Sequence, residues 1–180
     1  MTIPSIRNRG TYKCRYRVGA VALVIAVLAA TTRAESSGDV LLHKQAPAFV
    51  RIDLDNNRIR LAGFRGHVVL LNFWATWCAP CQIETPRFIA WQKQYGPDGL
   101  QVLGVSMDDD AAPVRGFSRK LIVNYPVIMG DEKLGLLYGG IFGLPVTYLI
   151  DRRGKIRARF QGETDLAVME REIQKLLSGR

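Results

Sequence analysis

The chain has 180 residues, enough for one domain with a real core and too few for two comfortable ones. Its formal net charge is +9, but six of its 25 Lys and Arg precede Glu35 with no acid among them, which leaves +3 for the remainder. The basic character therefore belongs to the leader, and nucleic-acid binding by the folded part is not expected.

Residues 1–34 have the order of an export signal. A basic stretch runs to Arg17, and residues 18–30 are uncharged and dominated by Val, Ala and Leu. Thirteen such residues span roughly 20 Å as a helix, short of a comfortable membrane crossing. A signal peptide cleaved after Ala29 or Ala34 and an uncleaved membrane anchor both fit this pattern. Either one keeps the basic end in the cytoplasm and delivers the rest across the membrane, so a periplasmic location is expected. A buried helix of a cytosolic protein is disfavoured, because residues 18–30 offer no polar face.

Residues 35–46 are polar and read as a linker, with the domain proper at 47–180. Residues 48–61 alternate apolar and polar side chains around Asp55, Asn56 and Asn57, which predicts a β-hairpin. Residues 67–75, HVVLLNFWA, form a continuous apolar run suited to a strand buried on both faces. After Cys81 the spacing of Ile83, Phe88, Ile89 and Trp91 predicts a helix to about Tyr95, bent at Pro86 and ended by GPDG. A second buried strand is expected at 100–107 and a helix at 112–122, with the acidic run 108–110 available to cap its first turn. A short strand at 125–130, a short helix at 132–139, a hairpin at 146–160 and an amphipathic helix at 165–177 complete the chain. This order implies an α/β fold with a mixed central sheet and helices on both faces.

Of the three cysteines, Cys14 lies in the basic leader and reads as a bystander. Cys78 and Cys81 are the only thiols of the domain, so within it they can pair only with each other. A cysteine where a buried strand meets a helix is surrounded by unpaired N–H groups and the positive end of the helix dipole, both of which favour thiolate. Cys81 lies one turn further in, about 4.5 Å along the axis, compatible with disulfide geometry. Pro80 falls in the first turn, where its missing N–H costs nothing. Such a pair can open and close on a fixed scaffold, with Cys78 attacking and Cys81 resolving. A zinc site is the bland alternative, but it needs about four ligands, and the domain adds only His43 and His67. An inert disulfide is another, although so short a loop gains little stability.

The stretch VVLLNFWATWCAPCQIETP at 68–86, followed by GLPVTYLIDRRGKI at 143–156, resembles the thioredoxin superfamily. It is most similar to the TlpA and ResA branch of exported thiol-disulfide oxidoreductases, from Pro47 to the C-terminus. The resemblance implies a thioredoxin-like fold with an N-terminal β-hairpin extension, a redox-active disulfide and no other cofactor or metal. It maps the branch's cis-proline onto Pro145, with Leu144 and Pro145 lining a groove where an extended client pairs with the backbone. Trp77 and Pro80 would contact the client, and Trp74 would shield the disulfide or serve as core. Ordinary members carry a buried Asp where this chain has Asn72, which cannot accept a proton. Glu84 matches a Glu of the branch and stands as a candidate proton acceptor, the alternative being a solvated helix residue. Asp108 and Asp109 follow the second buried strand, where the branch can also place an acid.

The function implied is reduction of client disulfides, in cytochrome c maturation or copper-site assembly. Disulfide-bearing proteins would be the clients and a membrane thiol the electron donor, with the membrane itself a partner if the leader is uncleaved. A disulfide-forming oxidant is the first alternative. It is disfavoured because Ala79 and Pro80 put no charge between the cysteines. A copper chaperone of the same fold is the second, disfavoured because such proteins space their cysteines more widely and carry a late histidine, whereas this chain has none after His67. A peroxidase is disfavoured because peroxide-splitting relatives set their cysteine in a different context from WCAPC.

Overall fold

The structure, a computed structural model, describes residues 39–179. The expected leader, residues 1–34 with Cys14, lies outside them. No helix among the described residues is long and apolar enough to cross a membrane.

The predicted first hairpin is present. Strands β1 (Val50–Ile52) and β2 (Arg58–Arg60) pair antiparallel, with Arg51 opposite Ile59. The turn is tied by Asp53, whose carboxylate accepts from the backbone N–H groups of Asp55 and Asn57 and from the Asn57 amide. Asn56 takes the left-handed conformation there, φ 65°, which Asn tolerates better than most residues.

Five further strands form the central sheet: β3 (Val68–Trp74), β4 (Leu100–Ser106), β5 (Val127–Met129), β6 (Val146–Ile150) and β7 (Ile156–Gln161). Their order is β5-β4-β3-β6-β7, with β3, β4 and β5 parallel and β6 and β7 antiparallel to their neighbours. All seven residues of β3 are buried, as its unbroken apolar run requires of a central strand. Its side chains alternate between two cores. Val69, Leu71 and Phe73 join Phe49, Ile59, Leu134 and Tyr138 on one face. Val68 and Leu70 join Phe88, Trp91, Met169 and Ile173 on the other. Helices α1 (Ala79–Tyr95) and α4 (Leu166–Leu177) therefore cover one side, and the hairpin with α3 (Glu132–Leu137) covers the other.

Two expectations are corrected. The linker assigned to 35–46 is, from Asp39 on, largely built into the fold. His43 donates its backbone N–H to Ile156, Ala46 donates to Gly154, and Leu41 and Leu42 pack on the core. Helix α1 starts at Ala79, with Pro80 in its first turn as expected, and it continues through Pro86. Helix α2 (Ala111–Leu121) has Asp110 at its N-cap, but no side-chain bond caps it. Asp108 is turned instead towards the end of β3, where Thr76 and Ser106 donate to it.

Register determines what meets at the end of β3. Trp74 lies level with Ser106 of β4, and Phe73 lies opposite Val146 at the start of β6. The strand-to-helix junction at 75–78, the loop after β4 and the residues before β6 thus share one edge of the sheet. Open α/β sheets bind ligands at such strand ends.

Candidate active site

At that edge Cys78 and Cys81 form a disulfide with their Cα atoms 5.3 Å apart. Cys78 is the N-cap of α1, and its Sγ accepts the backbone N–H of Cys81 at 3.3 Å. The sulfur therefore occupies the position where the first-turn N–H groups and the helix dipole act most strongly on a thiolate. Both cysteines are nearly buried, at 5% and 2% exposure, within an apolar cluster that includes Trp74, Ala75, Val114 and Val127.

Leu144 packs half-buried against this same cluster, and the Leu144–Pro145 peptide bond is cis. Because Val146 is opposite Phe73, the two residues before it sit beside the cysteine junction. Pro145 is buried and uses its carbonyl to accept from the Gly162 N–H, whereas the Leu144 N–H and C=O bond no described residue. Trp77 stands beside the disulfide at 69% exposure, and Pro80 is half-buried in the first turn. Trp74 is core, packed on Phe117 with ring centroids 5.1 Å apart. Leu144 and the two cysteines thus share one cluster, whereas Asp109 is exposed on the loop after Asp108.

Glu84 is not a solvated helix residue. It is 4% exposed on the inner face of α1, one turn beyond Cys81, and its Oε2 is buried with no hydrogen-bond partner. Burial pushes its carboxyl from 4.5 up to about 7, so it exchanges a proton near neutral pH. Asn72 is buried in β3 and donates its amide to Thr147 Oγ1 at 2.9 Å, which ties β3 to β6. Glu84 is consequently the titratable carboxyl one turn from Cys81, on the same helix face.

Residues 42–159 match the AhpC/TSA family. The chain belongs to that family. Among curated relatives, it is 32% identical to the thiol-disulfide oxidoreductase ResA of Bacillus thuringiensis subsp. konkukian over 133 residues, 74% of this chain and 77% of that protein. It is 34% identical to ResA of Bacillus subtilis over 111 residues, 62% of each chain. Among solved structures it is similar to a thiol:disulfide interchange protein of the thioredoxin family from Chlorobium tepidum, with TM-score 0.69 and 28% identity over 74% of this chain and 95% of that one. The expected fold and thioredoxin-superfamily membership are borne out, and the protein is a thiol-disulfide oxidoreductase of ResA type.

Two features of the site have no local sequence signal. Thr76, inside WATW, is gripped by Asp108 from the neighbouring strand's loop. Ile83 is 67% exposed beside the cysteines, although its apolar character predicts an inward position. Among the described residues no group of three or more His, Cys, Asp or Glu is placed to hold a metal ion, and His43 and His67 are both at the surface.

Proposed function

We propose that this oxidoreductase is exported and acts as a reductant of client disulfides. The observation that carries the reading is the Cys78–Cys81 pair at the start of α1, with Cys78 Sγ receiving a helix N–H. In the reduced enzyme the Cys78 thiolate attacks one sulfur of a client disulfide. That S–S bond breaks, and its electron pair leaves on the other client sulfur, giving a mixed disulfide. Cys81, having lost its proton, then attacks Cys78 Sγ, the second client thiolate departs, and the Cys78–Cys81 disulfide forms. Two electrons have passed to the client, and a thiol donor must return them. Glu84 is the group we assign to receive the Cys81 proton, since its carboxyl titrates near neutrality one turn away.

The reducing direction is supported by the uncharged Ala79 and Pro80, which add nothing to hold Cys78 as thiolate beyond the helix itself. The leader at 1–34 supports delivery to the periplasm, anchored or released, with a membrane thiol protein as donor. The freely available Leu144 backbone and the exposed Trp77 suit an extended protein segment, such as a cytochrome c or copper-site client with paired cysteines.

The reduction potential of the Cys78–Cys81 couple tests the direction. A value near thioredoxin's, about −270 mV, is expected, and one near DsbA's, about −120 mV, overturns it. The Cys81→Ala protein should accumulate mixed disulfides on Cys78 in cells, and their mass-spectrometric identity names the clients.

A further inference from the structure

We infer that Asp108 is a positioning residue for Cys78: it grips the strand-to-helix junction through Thr76 and so sets where the reactive sulfur stands. The inference rests on the exchange reading above. Residues 75–78 turn the chain from β3 into α1, and such a junction leaves backbone groups in need of partners. Here they are supplied from outside the junction. Asp108 Oδ2 accepts the Thr76 backbone N–H at 2.9 Å, and Oδ1 accepts the Thr76 hydroxyl at 2.5 Å. The Thr76 carbonyl accepts from Gln82 Nε2 at 2.6 Å, and the Trp74 carbonyl accepts from the Met107 N–H at 2.8 Å. Thr76, two residues before the N-cap, is thereby held on three sides.

Asp108 is itself fixed. Ser106 donates its hydroxyl to Asp108 Oδ2 at 2.7 Å and receives the Asp108 N–H at 3.1 Å. Ser106 closes β4 in register with Trp74, so the grip is anchored in the sheet. Three donors converge on the one buried Asp108 side chain, so several bonds at once fix its orientation. With its oxygens engaged in this way, Asp108 does not cap α2. What it fixes is the N-cap geometry, which brings the Cys81 N–H to Cys78 Sγ at 3.3 Å. Helix-end stabilisation of a thiolate falls away within about one turn, so a loosened junction weakens it.

The test uses the full chain with Cys81→Ala, reduced. The rate of Cys78 alkylation by iodoacetamide is followed against pH on the peptide that carries Cys78, so that Cys14 does not contribute. Asp108→Ala should raise the Cys78 pKa by about one unit, which slows alkylation roughly tenfold at pH values below both pKa values. Asp108→Asn keeps one acceptor oxygen and should restore part of the shift. Thr76→Val deletes the hydroxyl but keeps the backbone bond, and should give a smaller rise. An unchanged pKa in folded variants overturns the inference, because Asp108 would then be only a stabiliser. A lowered pKa also overturns it, since Cys78 would be feeling the carboxylate's charge rather than its grip. If circular dichroism shows Asp108→Ala unfolded, Asp108→Asn and Thr76→Val decide by the same criteria. Failure of the wild type to reduce any disulfide would refute the exchange reading while leaving this comparison intact. An unaltered Cys78 pKa with exchange preserved would refute only the positioning role.

Discussion

The backbone N–H of Cys81 points at Cys78 Sγ from 3.3 Å, so the proposed nucleophile is also the N-cap of the helix that carries its partner. Reactivity and helix stability therefore share one atom. Serine is among the best N-cap residues and alanine among the poor ones. Neither Cys78→Ser nor Cys78→Ala can form the disulfide, and both should lose exchange activity completely. They should differ in stability, with the serine variant ahead by about 1 kcal/mol in urea unfolding. Equal midpoints would mean that position 78 does not cap α1.

Glu84 links stability to pH. Its carboxyl gives up a proton near 4.5 in the unfolded chain and keeps it to about 7 in the folded protein, because burial disfavours the charge. Between these values the folded state binds more protons, so its stability falls as pH rises and levels off above about 7. Glu84→Gln is neutral throughout. Its stability relative to the wild type should climb across that window and stay flat on either side, as read from melting temperatures in a pH series. A constant difference would show that Glu84 titrates like an exposed carboxylate. In single-turnover exchange the same variant should lose the part of the resolving rate that rises through neutral pH.

Much of this arrangement is legible along the chain. The unbroken apolar run of β3, the alternation around Asp55 and the Cys78–Cys81 spacing each report a local requirement: burial on both faces, a half-buried hairpin, one helical turn. The phase of α1 is less legible. Its buried face runs through Cys81, Glu84, Thr85, Phe88 and Trp91, so Glu84 is inside and Ile83 outside, the reverse of what polarity alone predicts. The position of the cysteines fixes the phase, and Ile83 falls on the surface next to them. Asp108 was hidden for another reason. Its partner Thr76 is 32 residues away, and only the parallel register of Trp74 with Ser106 brings them together. The segment from Asp39 to Ala46 is held largely by backbone bonds to β7 and its turn, which composition does not display.

Trp77 is exposed beside a nearly buried disulfide, a position that serves contact with another molecule better than it serves the core. Trp77→Ala should leave the melting temperature within the small range of surface substitutions, about 0.5 kcal/mol in stability. The KM for a protein disulfide should rise severalfold, with reduction of a small disulfide such as oxidised glutathione much less affected. Equal losses on large and small substrates would assign Trp77 to the chemistry rather than to client contact.

Pro80 occupies the first turn of α1 next to Cys81, where it contributes shape and no charge. Pro80→His would place an imidazole within reach of the Cys78 sulfur. Its protonated form favours the thiolate, so the Cys78 pKa should fall. Lowering that pKa stabilises the reduced dithiol relative to the disulfide, which makes the couple more oxidising. At pH above the thiol pKa of the parent protein, a fall of one unit corresponds to about 1.4 kcal/mol, or about 30 mV for this two-electron couple. The expected result is a potential raised by about that amount, measured by equilibration with glutathione, with faster oxidation of reduced clients and slower reduction of oxidised ones. An unchanged potential would mean that the helix N-terminus already dominates the charge felt by Cys78, and that the dipeptide at 79–80 does not set the direction of exchange.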